Sequence, residues 1–262
     1  MLHAAGVWFS YRPAEGGRQT LEDVTVDVER GDLLGIIGPN GSGKTTLLKL
    51  LGGVLSPRSG SIALDRQPLS AWSRRDIAAR LAFVPQDTHA PFDFSVLDIA
   101  LMGRFPHLGA FALEGPEDLA IARRALAATG TAQFASRQFN TLSGGERQRV
   151  VIAAALAQGP EVMLLDEPTA SLDVGHQLGV QTLLRHLNAE KGVTMVLSTH
   201  DLNLAAALCR RLVLLKGGRV LSSGPTQDVL TSDSVRALYD VQADIQAHAR
   251  AGHLTVVPLG PA

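Results

Sequence analysis

With 262 residues, 45% of them hydrophobic and 5% aromatic, the chain has apolar material for one large α/β domain or two small ones. A formal net charge of −1 excludes general attraction to nucleic acid or to an anionic bilayer, local basic patches aside. A single cysteine, Cys209, excludes an internal disulfide, and no stretch approaches the ~18 apolar residues that would span a membrane.

Residues 2–11 and 21–30 alternate apolar with polar, Val24, Val26 and Val28 falling on one face, as half-buried antiparallel strands do. Between them, 13–19 has the composition of a turn. The run 33–37 reads as a buried parallel strand broken at Gly38, and 45–51 as a helix ended by Gly52-Gly53. A short strand is expected at 61–64, and a helix at 77–82 leading to a strand around Phe83 and Val84. From Asp87 to Gly115 the character changes, with proline, histidine and Phe92, Phe94, Phe105 and Phe111 following Phe83. A helix then has Pro116 in its first turn and Gly130 beyond its end, and another runs from near Gly144 to Gly159-Pro160. Strand and helix alternate again: 162–165, 174–189, 193–198 and 202–209, with Cys209 in an apolar helical pattern that suits a small buried side chain. Residues 212–215 and 219–221 read as a hairpin around Gly217-Gly218, followed by a short helix at 234–239 and a weak strand at 254–257. The pattern is a parallel α/β core interrupted by a mostly helical insertion at about 87–159. The N-terminus lacks a charged start followed by an apolar core, so no signal peptide is expected and the chain reads as cytoplasmic.

Three stretches carry chemistry. Gly38-Pro39-Asn40-Gly41-Ser42-Gly43-Lys44-Thr45, followed by Thr46, is G-x-x-x-x-G-K-T between a strand and a helix. Its glycines let the backbone curl until several N–H groups face one anion. Lys44 then reaches the β- and γ-phosphates of a nucleoside triphosphate, Thr45 offers a hydroxyl to Mg²⁺, and the helix adds its positive end. In VMLLDE (162–167), two carboxylates stand at the C-terminal edge of an apolar strand, where open parallel sheets bind ligands. Asp166 suits Mg²⁺ through water and Glu167 suits general-base work on an attacking water. In LSGGE (142–146), Ser143 is a good helix N-cap with glycines behind it; alone, that is a capped helix.

Their order points further. The phosphate loop, Gln86 after a strand, LSGGERQR, VMLLDEP, Ser171-Leu172-Asp173 and His200 after another strand follow one another over about residues 4–230. This series resembles the ATP-binding subunit of ABC transporters. The resemblance implies a P-loop NTPase, RecA-like α/β core (1–86 and 160–230) with an antiparallel β subdomain, an inserted α-helical subdomain (87–159) and a C-terminal tail (231–262). It implies that Tyr11 stacks on adenine, that Gln86 touches Mg²⁺ and the water, and that His200 acts as a switch on the γ-phosphate. It also implies that Ser143, Gly144 and Gly145 grip ATP bound to the opposite subunit and that Asp173 crosses to that partner. The unit so implied is a head-to-tail homodimer with two ATP molecules, seated on two transmembrane permease subunits at the cytoplasmic face of the membrane and indirectly served by a periplasmic or extracellular substrate-binding protein.

The stretch FSVLDIALMGRFPHLG (94–109) and the C-terminal LYDVQAD…LTVVP resemble ATPases of importers for iron–siderophore complexes, haem and cobalamin. Arg104, Phe105 and His107 in that stretch are expected at or beside the permease contact. Two other readings stand against a metal-chelate importer. A soluble ATPase of DNA repair, translation or cofactor-cluster assembly would need no membrane partner; repair types bring long coiled coils and translation types a second cassette, and the chain has neither heptads nor a second GKT. A nucleotide-binding module without turnover is opposed by Glu167 and His200.

Overall fold

In the computed structural model, residues 1–11, 19–90, 92–109 and 112–262 are described; most of the turn expected at 13–19, and Phe111, lie outside them. The described chain clusters into two compact units, Met1–Ala71 with Thr194–Ala262, and Trp72–Val193.

In the first unit the alternating residues become β1 (Leu2–Phe9) and β2 (Leu21–Val28), antiparallel from Leu2↔Val28 to Phe9↔Leu21, with Leu21, Val24, Val26 and Val28 all buried. The all-apolar run is β3 (Leu33–Ile37), buried at every position. After it come α1 (Lys44–Leu51), β4 (Ser59–Leu64) and β5 (Gln67–Pro68), giving an antiparallel sheet ordered β2-β1-β4-β5.

The second unit opens with α2 (Arg74–Arg80), capped by the Ser73 hydroxyl accepting from the Asp76 N–H at 3.1 Å, and β6 (Leu81–Val84). The helix expected to reach residue 82 ends at Arg80. Leu81 and Ala82 are extended instead because they pair with Val162 and Met163. Next come α3 (Val96–Met102), α4 (Pro116–Ala128), α5 (Gly144–Ala157), β7 (Val162–Asp166), parallel to β6, and α6 (Val174–Lys191). Helix α3 was not foreseen among the aromatics of 87–115; a capping box between Ser95 and Asp98 starts it. Val96, Leu126, Phe139, Leu142 and Val150 share one apolar cluster beneath these helices. Phe139 is 2% exposed, so Phe139→Ala should cost about 3–5 kcal/mol, read as an earlier denaturant midpoint for unfolding of the chain.

The first unit then resumes with β8 (Thr194–Thr199), α7 (Leu202–Leu208), β9 (Arg211–Lys216), β10 (Arg219–Pro225), α8 (Thr226–Val229), α9 (Ser232–Tyr239), β11 (Val241–His248) and β12 (His253–Pro261). Strand β3 lies between β8 and β9 and runs parallel to both. The β9–β10 hairpin turns on Gly217 and Gly218, both at positive φ, as expected. The weak strand at 254–257 proves to be half of a hairpin, β11 with β12, paired from Val241↔Pro261 to His248↔His253. Its first strand, β11, was not expected, although it alternates apolar with polar residues. The hairpin is held by tertiary bonds, the Asn203 amide accepting from the Val256 N–H at 2.8 Å and donating to the Val256 carbonyl at 3.1 Å.

Candidate active site

The strand β3 delivers the chain to Gly38 at the C-terminal edge of a parallel sheet. A Cβ on Gly38 would stand 2.0 Å from the Leu215 carbonyl oxygen, so no larger residue fits the start of the loop. Gly43 holds the left-handed conformation (φ 106°) as the N-cap of α1, and a Cβ there would lie 2.6 Å from the Leu21 side chain. With Gly41 also at positive φ, the backbone winds into a cradle. The Lys44 ammonium, on a buried residue, donates to the carbonyls of Gly38 at 2.9 Å and Pro39 at 3.3 Å, which suspends its charge over the loop. Ser42 is buried and its hydroxyl makes no hydrogen bond among the described residues. An orphaned hydroxyl, a cation and a glycine cradle at a helix start together fit a bound phosphate chain.

Two other predicted residues belong to the same unit. Register pairs Ile37 with Thr199, so Gly38 and His200 leave β3 and β8 side by side at one sheet edge. His200 is exposed, and the backbone around it is pinned. The Asp201 N–H donates to the Thr199 hydroxyl at 3.0 Å, the Asp201 carboxylate caps α7, and the Tyr239 hydroxyl donates to the His200 carbonyl at 3.3 Å. Tyr11 is 57% exposed, stands edge-on to Phe9, and its hydroxyl lies 3.3 Å from that of Thr46 in α1. A flat exposed ring next to the helix that starts at Lys44 is suitably placed for a stacked base.

In the second unit, register pairs Val84 with Leu165, so Gln86 and Glu167 both emerge just beyond the C-terminal edge of the β6–β7 pair. Asp166, the last residue of β7, is 4% exposed. Glu167 is half-buried and takes a left-handed backbone (φ 45°), costing about 1–2 kcal/mol for an L-residue. Strain of this kind collects at functional positions.

Ser143 caps α5 in a reciprocal box: its hydroxyl accepts from the Glu146 N–H at 3.3 Å, and its own N–H donates to the Glu146 carboxylate at 2.8 Å. That backbone bond holds the Glu146 carboxyl below its ordinary range. Asp173 caps α6, accepting from the His176 N–H at 2.9 Å and lying 2.8 Å from His176 Nδ1; these bonds likewise lower its carboxyl pKa. The His176 ring also closes on Gly145, where a Cβ would meet it at 2.3 Å, and a Cβ on Gly144 would meet Leu172 at 3.3 Å. The LSGGE turn and the Ser171-Leu172-Asp173 turn are therefore packed together. His176 escaped the sequence reading. Its only local signal is the spacing of three from an N-cap aspartate.

The residues expected at a permease contact divide. Phe105 is 57% exposed and His107 is exposed, its Nε2 2.7 Å from the Gln158 carbonyl. The Arg104 side chain is mostly buried, donating to Asp118 at 3.0 Å and to the Ala157 carbonyl at 2.7 Å. Asp118 is held below the usual carboxylate range by the Gly115 N–H and then by Arg104. Arg104 therefore ties α4 to the end of α5, and Phe105 and His107 are the residues of the three available to a partner.

Among the described residues no helix is long and apolar enough to cross a membrane. The sequence profile of a family described as ABC transporter matches residues 21–170. The cobalamin import ATP-binding protein of Halobacterium salinarum is 43% identical over 243 residues, which make up 93% of this chain; the chain spans only 61% of that relative's length. The hemin import ATP-binding protein of Gloeobacter violaceus is 42% identical over 269 residues, covering 100% of this chain and 95% of that one. A solved structure described as a metal-chelate type ABC transporter in an inward-facing conformation superposes with TM-score 0.86 at 34% identity, covering 98% of this chain and 96% of the other.

Proposed function

The chain belongs to the ABC transporter family, and on that premise we propose that it binds and hydrolyses ATP with Mg²⁺ to drive import of a metal chelate: an iron–siderophore complex, haem or cobalamin. The observation that carries this reading is the glycine cradle of Gly38–Gly43, with Lys44 suspended over it and His200 leaving the sheet beside it. Lys44 and the loop N–H groups hold the β- and γ-phosphates, Tyr11 stacks on the base, and His200 contacts the γ-phosphate. Mg²⁺ would be held by the Thr45 hydroxyl, Gln86 and, through water, Asp166, and would neutralise charge on the phosphates. Glu167 takes the proton of the attacking water. Ser143, Gly144 and Gly145 serve the ATP of a second, head-to-tail copy, to which Asp173 also reaches.

The assembly is proposed to sit peripherally on the cytoplasmic face of the membrane, on two permease subunits that a substrate-binding protein loads from outside. Phe105 supplies an exposed aromatic at the permease contact, the kind of side chain that dominates binding at protein interfaces. The test is phosphate release by the purified chain with Mg²⁺ and ATP, alongside equilibrium nucleotide binding. Lys44→Ala should weaken ATP binding about ten- to a hundredfold, because charge-assisted hydrogen bonds to phosphate are lost. Equal ATP affinity in Lys44→Ala would place the nucleotide elsewhere.

A further inference from the structure

A cavity of about 550 Å³ opens in the first unit between the end of α7, the start of α8 and the hairpin β11–β12. Small-molecule sites run to roughly 300–1,000 Å³. No residue of the phosphate loop lines it. Cys209 and Leu254 give it apolar walls, and burial pushes the Cys209 thiol pKa up, so the sulfur is a neutral surface there. Its polar lining residues are Arg210, Thr226, Gln227, His248 and His253, with no carboxylate among the lining residues.

The walls are fastened independently of any ligand. The Thr226 hydroxyl donates to the Cys209 carbonyl at 2.6 Å, the Thr226 N–H to the Arg210 carbonyl at 2.9 Å, and the Asn203–Val256 pair holds the hairpin. Arg210 is anchored through its backbone, its N–H donating to the Leu33 carbonyl at 3.1 Å, while its guanidinium has no partner among the described residues. His248 Nδ1 accepts from the Ala251 N–H at 3.1 Å, which leaves the ring proton on Nε2 as a donor. An uncompensated arginine with amide and imidazole donors above an apolar floor is suited to one carboxylate on an apolar body, which Arg can hold bidentately.

We infer that this cavity is a binding site for a small organic anion, with Arg210 as the anchor of its carboxylate. The probe is octanoate, titrated calorimetrically into the full chain, with Lys44→Ala as a background in which the phosphate loop is disabled. One saturable site per chain is expected in both. Arg210→Gln should weaken octanoate about ten- to a hundredfold, and Arg210→Lys should recover part of the loss. Gln227→Glu, at an exposed position that should not disturb folding, sets a carboxylate on the rim and should weaken octanoate as well. Octanamide, which lacks the charge, should bind weakly to every form. Absence of saturable octanoate binding in the unaltered chain would overturn the assignment. So would unchanged affinity in Arg210→Gln or in Gln227→Glu.

Discussion

Glu167→Gln is expected to leave ATP binding intact while phosphate release falls by about 10²–10⁴-fold, the usual contribution of a positioned general base. Glutamine keeps the size of the side chain and one of its oxygens, so the left-handed turn after β7 and the fold around it should survive. The melting temperature should therefore match that of the unaltered chain. Because bound ATP would no longer be consumed, the nucleotide-bound dimer should accumulate, and light scattering should register it on addition of ATP. Turnover close to normal in Glu167→Gln would remove this carboxylate from the role of base, leaving Asp166 and His200 to be tested in its place.

Ser143→Arg should also separate nucleotide binding from turnover, but with the opposite effect on dimerisation. Ser143 is exposed and its hydroxyl caps α5, so the substitution costs about 1 kcal/mol of local stability and also brings a cation to the positive end of a helix. ATP binding through Lys44 and Tyr11 on the same chain should be nearly unchanged, because Ser143 is proposed to serve the ATP of the other copy. Dimerisation and turnover should both fall, turnover by about a hundredfold or more, as expected when a reacting group loses its positioning contacts. Mixing this variant with Glu167→Gln adds a sharper test, since a mixed dimer keeps one composite site with an intact Ser143. Loss of ATP binding by Ser143→Arg in the monomer would show that the LSGGE turn acts on its own chain's nucleotide, contrary to a head-to-tail pairing.

Much of this was legible in the chain because its chemistry is local. A buried strand, a glycine turn and a helix follow one another from Leu33 to Leu51, so the cradle could be read without knowing what packs around it. The same holds for VMLLDE, where strand and carboxylates are adjacent, and for LSGGE, where cap and helix are adjacent. The order of these pieces along the chain was enough to indicate the family. Helix α3 was missed because a helix of seven residues among prolines and phenylalanines has too few turns to show a period. The end of α2 was misplaced because Leu81 and Ala82 carry no local preference strong enough to oppose pairing with β7.

The sequence by itself determined what the chain can hold: a triphosphate cradle, a carboxylate pair at a strand end and a capped glycine turn, each built from neighbouring residues. Tertiary structure alone decided which side chains are free to act. It placed the Arg104 guanidinium on Asp118 and the Ala157 carbonyl, withdrawing an arginine that the sequence offered to a partner. It closed the His176 ring over Gly145, joining two turns far apart along the chain. It also folded the C-terminal stretch into a hairpin that leaves Arg210 lining a cavity without a carboxylate. The physical reason is the same in each case. Backbone conformation and capping are set within a few residues, whereas burial and charge pairing depend on groups that only the folded chain brings within hydrogen-bonding distance.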